Sequence, residues 1–337
     1  MKRKLCALFL TIAFCITLFS GLSTTASAAP SGFNYNTAKL VTLFFTQCLN
    51  SDDSLSTSFD WYNFANSDAN GIVIIPYKPL DGGRNYWDIG RYGLSQYTTL
   101  AQITANVITE LVSNNSNIKV WFGTPAITSN CFPLATCDNC LTIFTNYVSA
   151  VKSYVGNTIW NQNVCGVYYD QESIYGDVNY NALTTNEEIL LMNCIAYRVH
   201  ANFEKDMLWI PYYGYGTNAG EIIKRIGYLS ERSPIFDCII LQSTYLSHND
   251  AESLSNFNGI SYSMDINAIC YRNAVQVIER SASANAIIGA EYEINTYNTT
   301  TLNIYRYYYD SYLGSKPMAI YWQGSLSSAI SYINSIY

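Results

Sequence analysis

Charged side chains are scarce in this chain. Lys and Arg number 18 and Asp and Glu 25 in 337 residues, a formal net charge of -7. A shortage of basic residues argues against nucleic acid or an anionic membrane as a partner. Histidine is scarcer still, with only His200 and His248 present. A Ser-His-Asp hydrolase needs a base histidine, and a metal-dependent deacetylase or amidohydrolase needs two or more, so both classes are disfavoured. No metal site and no cofactor are implied. The glycine fingerprint that cradles phosphate does not follow the first strand, which counts against an open doubly wound sheet. Beyond the amino-terminal stretch, no apolar run is long or uninterrupted enough to span a bilayer.

That amino-terminal stretch has its own logic. Lys2, Arg3 and Lys4 precede an apolar run from Leu5 to about Phe19, and Ala26-Ser27-Ala28 supplies the small residues of a cleavage site. Residues 1–28 therefore read as a secretory signal, with the mature chain starting near Ala29 or Pro30 and acting outside the cell. An uncleaved anchor is the competing reading of the same run. Loss of the three basic residues takes the formal charge from -7 to -10. Eight cysteines remain. Cys131, Cys137 and Cys140 read as a loop cluster with room for one local disulfide, and Cys48, Cys165 and Cys238 as small hydrophobes on apolar strands.

What the chain does have is an alternation of apolar strands and amphipathic helices. Strands are expected at Lys39–Gln47, Gly71–Tyr77, Ile118–Pro125, from Val164 into the segment ending at Glu172, at Met207–Tyr213, Phe236–Leu241, Ala286–Ile294 and Met318–Gly324. Between them, Leu100, Ile103, Val107, Ile108 and Leu111 form one helical stripe. Leu141, Phe144, Val148, Val151 and Val155 form another, with Gly156 placed to end it. Thr185 and Glu188 read as a capping box. Further helices are expected around residues 222–229, from Asp265, at Leu302–Tyr312 and at Leu326–Ile333. Eight strands buried on both faces, nearly all followed by a helix, are what a (β/α)8 barrel requires, so residues 30–337 are expected to form one such α/β domain.

In that architecture the carboxyl ends of the strands meet at one mouth. They carry Asp81 after strand two, Asp170, Gln171 and Glu172 at four, Tyr212 and Tyr213 at five, Gln242 and Tyr245 at six, Glu291 and Glu293 at seven, and Trp322 at eight. Acids and aromatics dominate, and a pair of carboxylates suffices for few reactions. Glycosidic cleavage is the commonest: one acid protonates the departing oxygen while the other attacks the anomeric carbon or activates water. Tyrosine and tryptophan rings suit the apolar faces of sugar rings. Glu172 faces strand seven across the barrel, and Asp170 beside it would raise its pKa as a general acid needs. Either Glu291 or Glu293 serves as the nucleophile. Asp81 and Arg84 read as either a surface salt bridge or substrate contacts, with the surface reading favoured, His248 as a loop residue and His200 as structural or exposed.

The segments GVYYDQESIYG, LWIPYYG, IILQSTY and GAEYEIN resemble those of an exported bacterial family known only as a domain of unknown function and thought to be glycoside-hydrolase-like. The resemblance runs from about Leu40 to the carboxyl terminus. It implies a carbohydrate substrate, with the strand-four acid on Glu172 and the strand-seven acids on Glu291 and Glu293, as in retaining barrel glycosidases. Gln171 replaces the Asn that usually precedes the acid in that clan. A catalytically inactive, glycan-binding surface barrel is the alternative the same residues allow.

Overall fold

The computed structural model describes residues 30–77, 89–90, 92–127, 131, 134–172, 187–212, 225–227, 229–230, 235–242, 286–295 and 317–337. The expected signal segment, the expected helices from Asp265 and at Leu302–Tyr312, and the Thr185 cap lie outside them. Eight strands close into a barrel in sequence order: β1 (Lys39–Phe44), β2 (Gly71–Ile75), β3 (Lys119–Gly123), β4 (Val164–Tyr169), β5 (Asp206–Trp209), β6 (Cys238–Leu241), β7 (Ile287–Asn295) and β8 (Met318–Gln323). Every pairing is parallel, and β8 returns to β1 with Met318 beside Lys39. Closure leaves no strand edge exposed, which is the physical advantage of the barrel over an open sheet. The fold is the (β/α)8 class that the strand pattern requires.

Helices α1 (Phe45–Cys48), α2 (Trp61–Ala65), α3 (Leu94–Asn114), α4 (Leu134–Gln162), α5 (Glu187–Tyr197) and α6 (Leu326–Ile336) surround it. No helix among the described residues is long and apolar enough to cross a membrane. The apolar stripes of α3 and α4 are buried as their spacing demands, Leu100, Val107 and Leu111 on one, Phe144, Val148 and Val151 on the other.

Period-two alternation sorts the strand residues into two cores. Leu40, Val73, Ile75, Tyr168, Leu208, Ile210, Cys238, Ile240 and Ala319 fill the barrel interior. Their neighbours Val41, Ile72, Ile74, Val167, Tyr169, Met207, Trp209, Ile239 and Ile320 pack against the helices. Trp121 fills the lower interior. Glycines make room for it on both neighbouring strands: a Cβ on Gly71 would stand 2.6 Å from the indole, and one on Gly166 would stand 2.8 Å from it and 2.4 Å from the Asp206 carbonyl oxygen. Between Val120 and Trp121 the register with β4 slips by one, so Cys165 is an extra residue there.

The amino-terminal segment closes the end of the barrel opposite the mouth. Phe33 and Tyr35 enter the interior cluster, where Phe33 is edge-on to both Tyr35 and Trp121, 4.8 Å from the indole centroid, and Tyr35 lies tilted to the indole at 5.9 Å. Ser31 donates to Asp206 from its backbone N (2.8 Å) and from its hydroxyl, and the Tyr35 hydroxyl adds a third bond at 3.0 Å. The sequence pattern carried no sign of this plug, because no periodicity marks the segment.

Some boundaries differ from expectation. The first strand stops at Phe44, three residues early, because Gln47 turns back: its Oε1 accepts from Phe44 N at 2.8 Å and its Nε2 donates to the Trp322 carbonyl at 3.1 Å, so 45–48 coil as α1. Cys48 is buried on that helix rather than on a strand. At Gly156 the backbone leaves helical geometry (φ 78°, ψ 162°), so the stripe-bearing part of α4 ends there as expected and a second helical stretch runs on to Gln162. Cys137 and Cys140 sit on α4, not in a loop, and the Cys137 thiol donates to the Cys131 carbonyl at 3.4 Å. Burial pushes that thiol up to about 11.

Candidate active site

The acid-bearing segment 170–172 leaves the end of β4 and is pinned by backbone on both sides. Asp170 N donates to Thr124 Oγ1 at 3.2 Å, just beyond β3. The Gln171 carbonyl accepts from Trp209 Nε1 at 2.6 Å, and the Glu172 carbonyl accepts from Tyr212 N at 2.8 Å, both from the β5 side. Tyr168, Asp170 and Glu172 are successive alternate residues. Tyr168 is fully buried inside the barrel, and both acids follow the strand's end at Tyr169.

Asp170 as a residue is half-buried, yet its Oδ2 is sealed from solvent and accepts no hydrogen bond. With that oxygen cut off from water, burial, and then the charge of Glu172, hold the Asp170 carboxyl well above the ordinary carboxylate range. Tyr168 is kept neutral by burial first, then by Tyr321, Asp170 and Glu172. Its hydroxyl meets that of Tyr321, on β8, at 3.5 Å. Burial likewise raises Tyr147 on α4, whose hydroxyl contacts Thr104 at 3.1 Å and donates to the Gly123 carbonyl at 3.2 Å.

Facing outward from the same interior is a group of rings that the strand-end reading missed. Phe44 ends β1, Tyr77 follows β2 and Tyr321 lies near the end of β8. All three are half-buried and rest on the interior core. Phe44 is edge-on to both tyrosines, with centroids 6.2 Å from Tyr77 and 5.7 Å from Tyr321. The signal was present in the sequence: each extends its strand's inward series, Leu40-Thr42-Phe44, Val73-Ile75-Tyr77 and Ala319-Tyr321.

The same alternation overturns one expected contact. Trp322 is one residue out of phase with Tyr321 and falls in the outer layer, 4% exposed, with its ring 6.1 Å from that of Phe64 and Nε1 donating to the Thr42 carbonyl at 2.8 Å. It packs a helix rather than lining the mouth. Tyr212 also rests against the outer core. Gln242 is 5% exposed, and its Nε2 is spent on the Ile210 carbonyl at 3.0 Å, tying β6 to β5 at the mouth.

On β7, Glu291 is the register partner of Ala319 and Glu293 of Tyr321, both interior positions of β8. The side chains of Glu291 and Glu293 lie outside the described residues, as do Tyr213, Tyr245, His248, Asp81 and Arg84. His200 is at the far end of the barrel, where its Nε2 stands 2.9 Å from Asp237 Oδ2, the same oxygen that accepts from Met207 N at 2.7 Å.

No family model matches this chain, and no curated protein matches it. Of what the resemblance to the exported family implies, the structure shows the closed barrel of eight parallel strands. Among solved structures, a GH18 chitinase from Pseudoalteromonas aurantia is similar, with 11% identity, 88% of this chain and 98% of that chain covered, and a TM-score of 0.46.

Proposed function

We propose that this chain is a secreted glycoside hydrolase that cleaves a poly- or oligosaccharide at the barrel mouth. The observation that carries the reading is Asp170 Oδ2, buried without a hydrogen-bond partner in the short segment after β4 that also carries Glu172. Burying an acid beside another acid costs stability, and a barrel that only held glycans by its rings would have no use for it. Glu172, beside an Asp170 carboxyl that burial holds well above the ordinary range, is the acid in this reading that protonates a departing glycosidic oxygen. Glu291 or Glu293, at interior register positions on β7, is the second carboxylate of the reaction. Phe44, Tyr77 and Tyr321 offer apolar ring surface to the sugar.

The test is release of reducing ends from a panel of bacterial and plant polysaccharides by the wild type and by Glu172→Gln, Glu291→Gln and Glu293→Gln. Loss of turnover in Glu172→Gln, and in one of the other two, is the expected result. Turnover that none of the three changes would remove the assignment. Binding without turnover in the wild type would leave a glycan-binding barrel.

A further inference from the structure

β4 ends at Tyr169, the register partner of Trp209, and the three residues beyond it are held from two sides. On the β3 side Thr124 makes two contacts: its backbone N donates to the Tyr168 carbonyl at 2.8 Å, and its Oγ1 accepts from Asp170 N at 3.2 Å. On the β5 side the Trp209 indole reaches past its own register partner and donates to the Gln171 carbonyl at 2.6 Å, while Tyr212 N donates to the Glu172 carbonyl at 2.8 Å. The Asp170 side chain adds no anchor through Oδ2, which accepts no hydrogen bond. The indole has one direction open to it. Trp209 is buried, its ring stacked on Phe236 with centroids 4.9 Å apart and planes at 17°, and Phe236 is edge-on to Tyr169. A phenylalanine would pack in the same place. The indole adds one donor, which cannot act as an acceptor, and that donor goes to the acid segment. Gln242 backs this side up: its Nε2 holds the Ile210 carbonyl at 3.0 Å and its N holds the Pro211 carbonyl at 2.9 Å, just before Tyr212.

We propose that Trp209 and Thr124 are positioning residues, the two jaws of a clamp that fixes the backbone from which the Asp170 and Glu172 carboxyls spring. The inference rests on the hydrolase reading for its catalytic meaning, whereas the clamp itself stands on the hydrogen bonds. A carboxyl that must meet a glycosidic oxygen loses rate steeply when its backbone drifts, and a segment past the end of its strand drifts unless neighbouring elements hold it. Here the holding groups come from buried side chains on both adjoining strands, so neither jaw moves with the mouth loops. Gln242, on the third strand out, supports the β5 jaw rather than touching substrate with its Nε2.

The test takes one hydrogen bond from each side in the full chain: Trp209→Phe keeps a ring against Phe236, and Thr124→Val keeps the shape of the side chain. Trp160→Phe, which removes a buried indole beside Lys205 at the far end of the barrel, is the packing control. Amide hydrogen exchange is followed by NMR at Asp170 and Tyr212, whose N–H groups make two of the contacts, with Val120, whose N–H donates to the Asn163 carbonyl, as the reference. In Trp209→Phe both amides, and in Thr124→Val the Tyr212 amide on the opposite side, should exchange about tenfold faster while Val120 stays within about twofold. On a substrate found by the panel, kcat should fall on the order of tenfold in both variants with KM within about twofold, and Trp160→Phe should match the wild type. Should Trp209→Phe fail to fold, Thr124→Val gives the same two readings from the β3 side. Exchange that rises only in step with Val120 overturns the proposal. So does a kcat that stays at the wild-type value, or one that falls equally in Trp160→Phe. Faster local exchange with no turnover by the wild type leaves the clamp standing and removes the hydrolase reading.

Discussion

The Tyr35 hydroxyl donates to Asp206 Oδ2 at 3.0 Å while accepting from Trp121 Nε1 at 2.8 Å, so one phenol ties the amino-terminal segment to both β5 and β3. The barrel floor is thus sealed by a short piece of chain that has no secondary structure beyond one turn. Its anchor is a carboxyl group buried among apolar residues.

Asp206 gives the fold a pH dependence of its own. Burial, and then the charge of Asp237, push its carboxyl up to about 6 from an ordinary 3.8, against the hydrogen bonds from Ser31 and Tyr35. The folded chain holds this proton more tightly than the unfolded chain does. The contribution is therefore fully present below about pH 4 and is lost as pH rises through about 6, on the order of 3 kcal/mol across the window. Asp206→Asn should flatten this part of the stability profile, checked by urea midpoints between pH 4 and 7. An unchanged wild-type slope in the variant would place the titrating group elsewhere.

Gly166→Ala should destabilise the barrel more than a surface substitution. The new methyl would lie 2.4 Å from the Asp206 carbonyl oxygen and 2.8 Å from the Trp121 ring, and neither backbone nor a buried indole can give way cheaply. A loss of about 1–3 kcal/mol is expected by thermal or urea unfolding. Gly166→Ala combined with Trp121→Phe should recover part of the loss, because the smaller ring vacates some of the contested space.

Trp322 and Tyr77 should separate stability from sugar affinity. Trp322→Ala opens a cavity between β8 and the outer helices and should cost about 3–5 kcal/mol without weakening glycan binding in the folded fraction. Tyr77→Ala, at the half-buried ring group, should weaken binding severalfold with a much smaller effect on stability. Calorimetric unfolding and affinity electrophoresis in a glycan gel, run on both variants, check the contrast. A Trp322→Ala protein that stays fully stable but stops binding would return that indole to the mouth.

The strands were legible because parallel strands buried on both faces must be apolar throughout, and such runs as GIVII, VCGVYY and CIIL can serve little else in a chain of this length. The helical stripes were legible for the same reason. The error at Trp322 arose from treating every residue near a strand end as part of the mouth. Counting by twos from Ala319 puts Tyr321 inside and Trp322 outside. Gly156 was legible too, since its positive φ breaks the helix where the stripe ends; what the sequence did not mark is the second helical stretch that carries Ile159 and Trp160 onto the outer core.

By itself, then, the sequence determined the periodicities: which segments are strands, which are helices, and that acids follow the fourth strand and lie on the seventh. Those depend on side chains a few residues apart, where covalent geometry sets the face each one occupies. Only the tertiary structure decided that Tyr321 meets Tyr168 across the barrel, that the amino-terminal segment plugs the floor through Asp206, and that Asp170 loses its water. Each of these joins residues more than a hundred positions apart or depends on what surrounds a group, and burial is a property of the closed barrel, not of any stretch of chain.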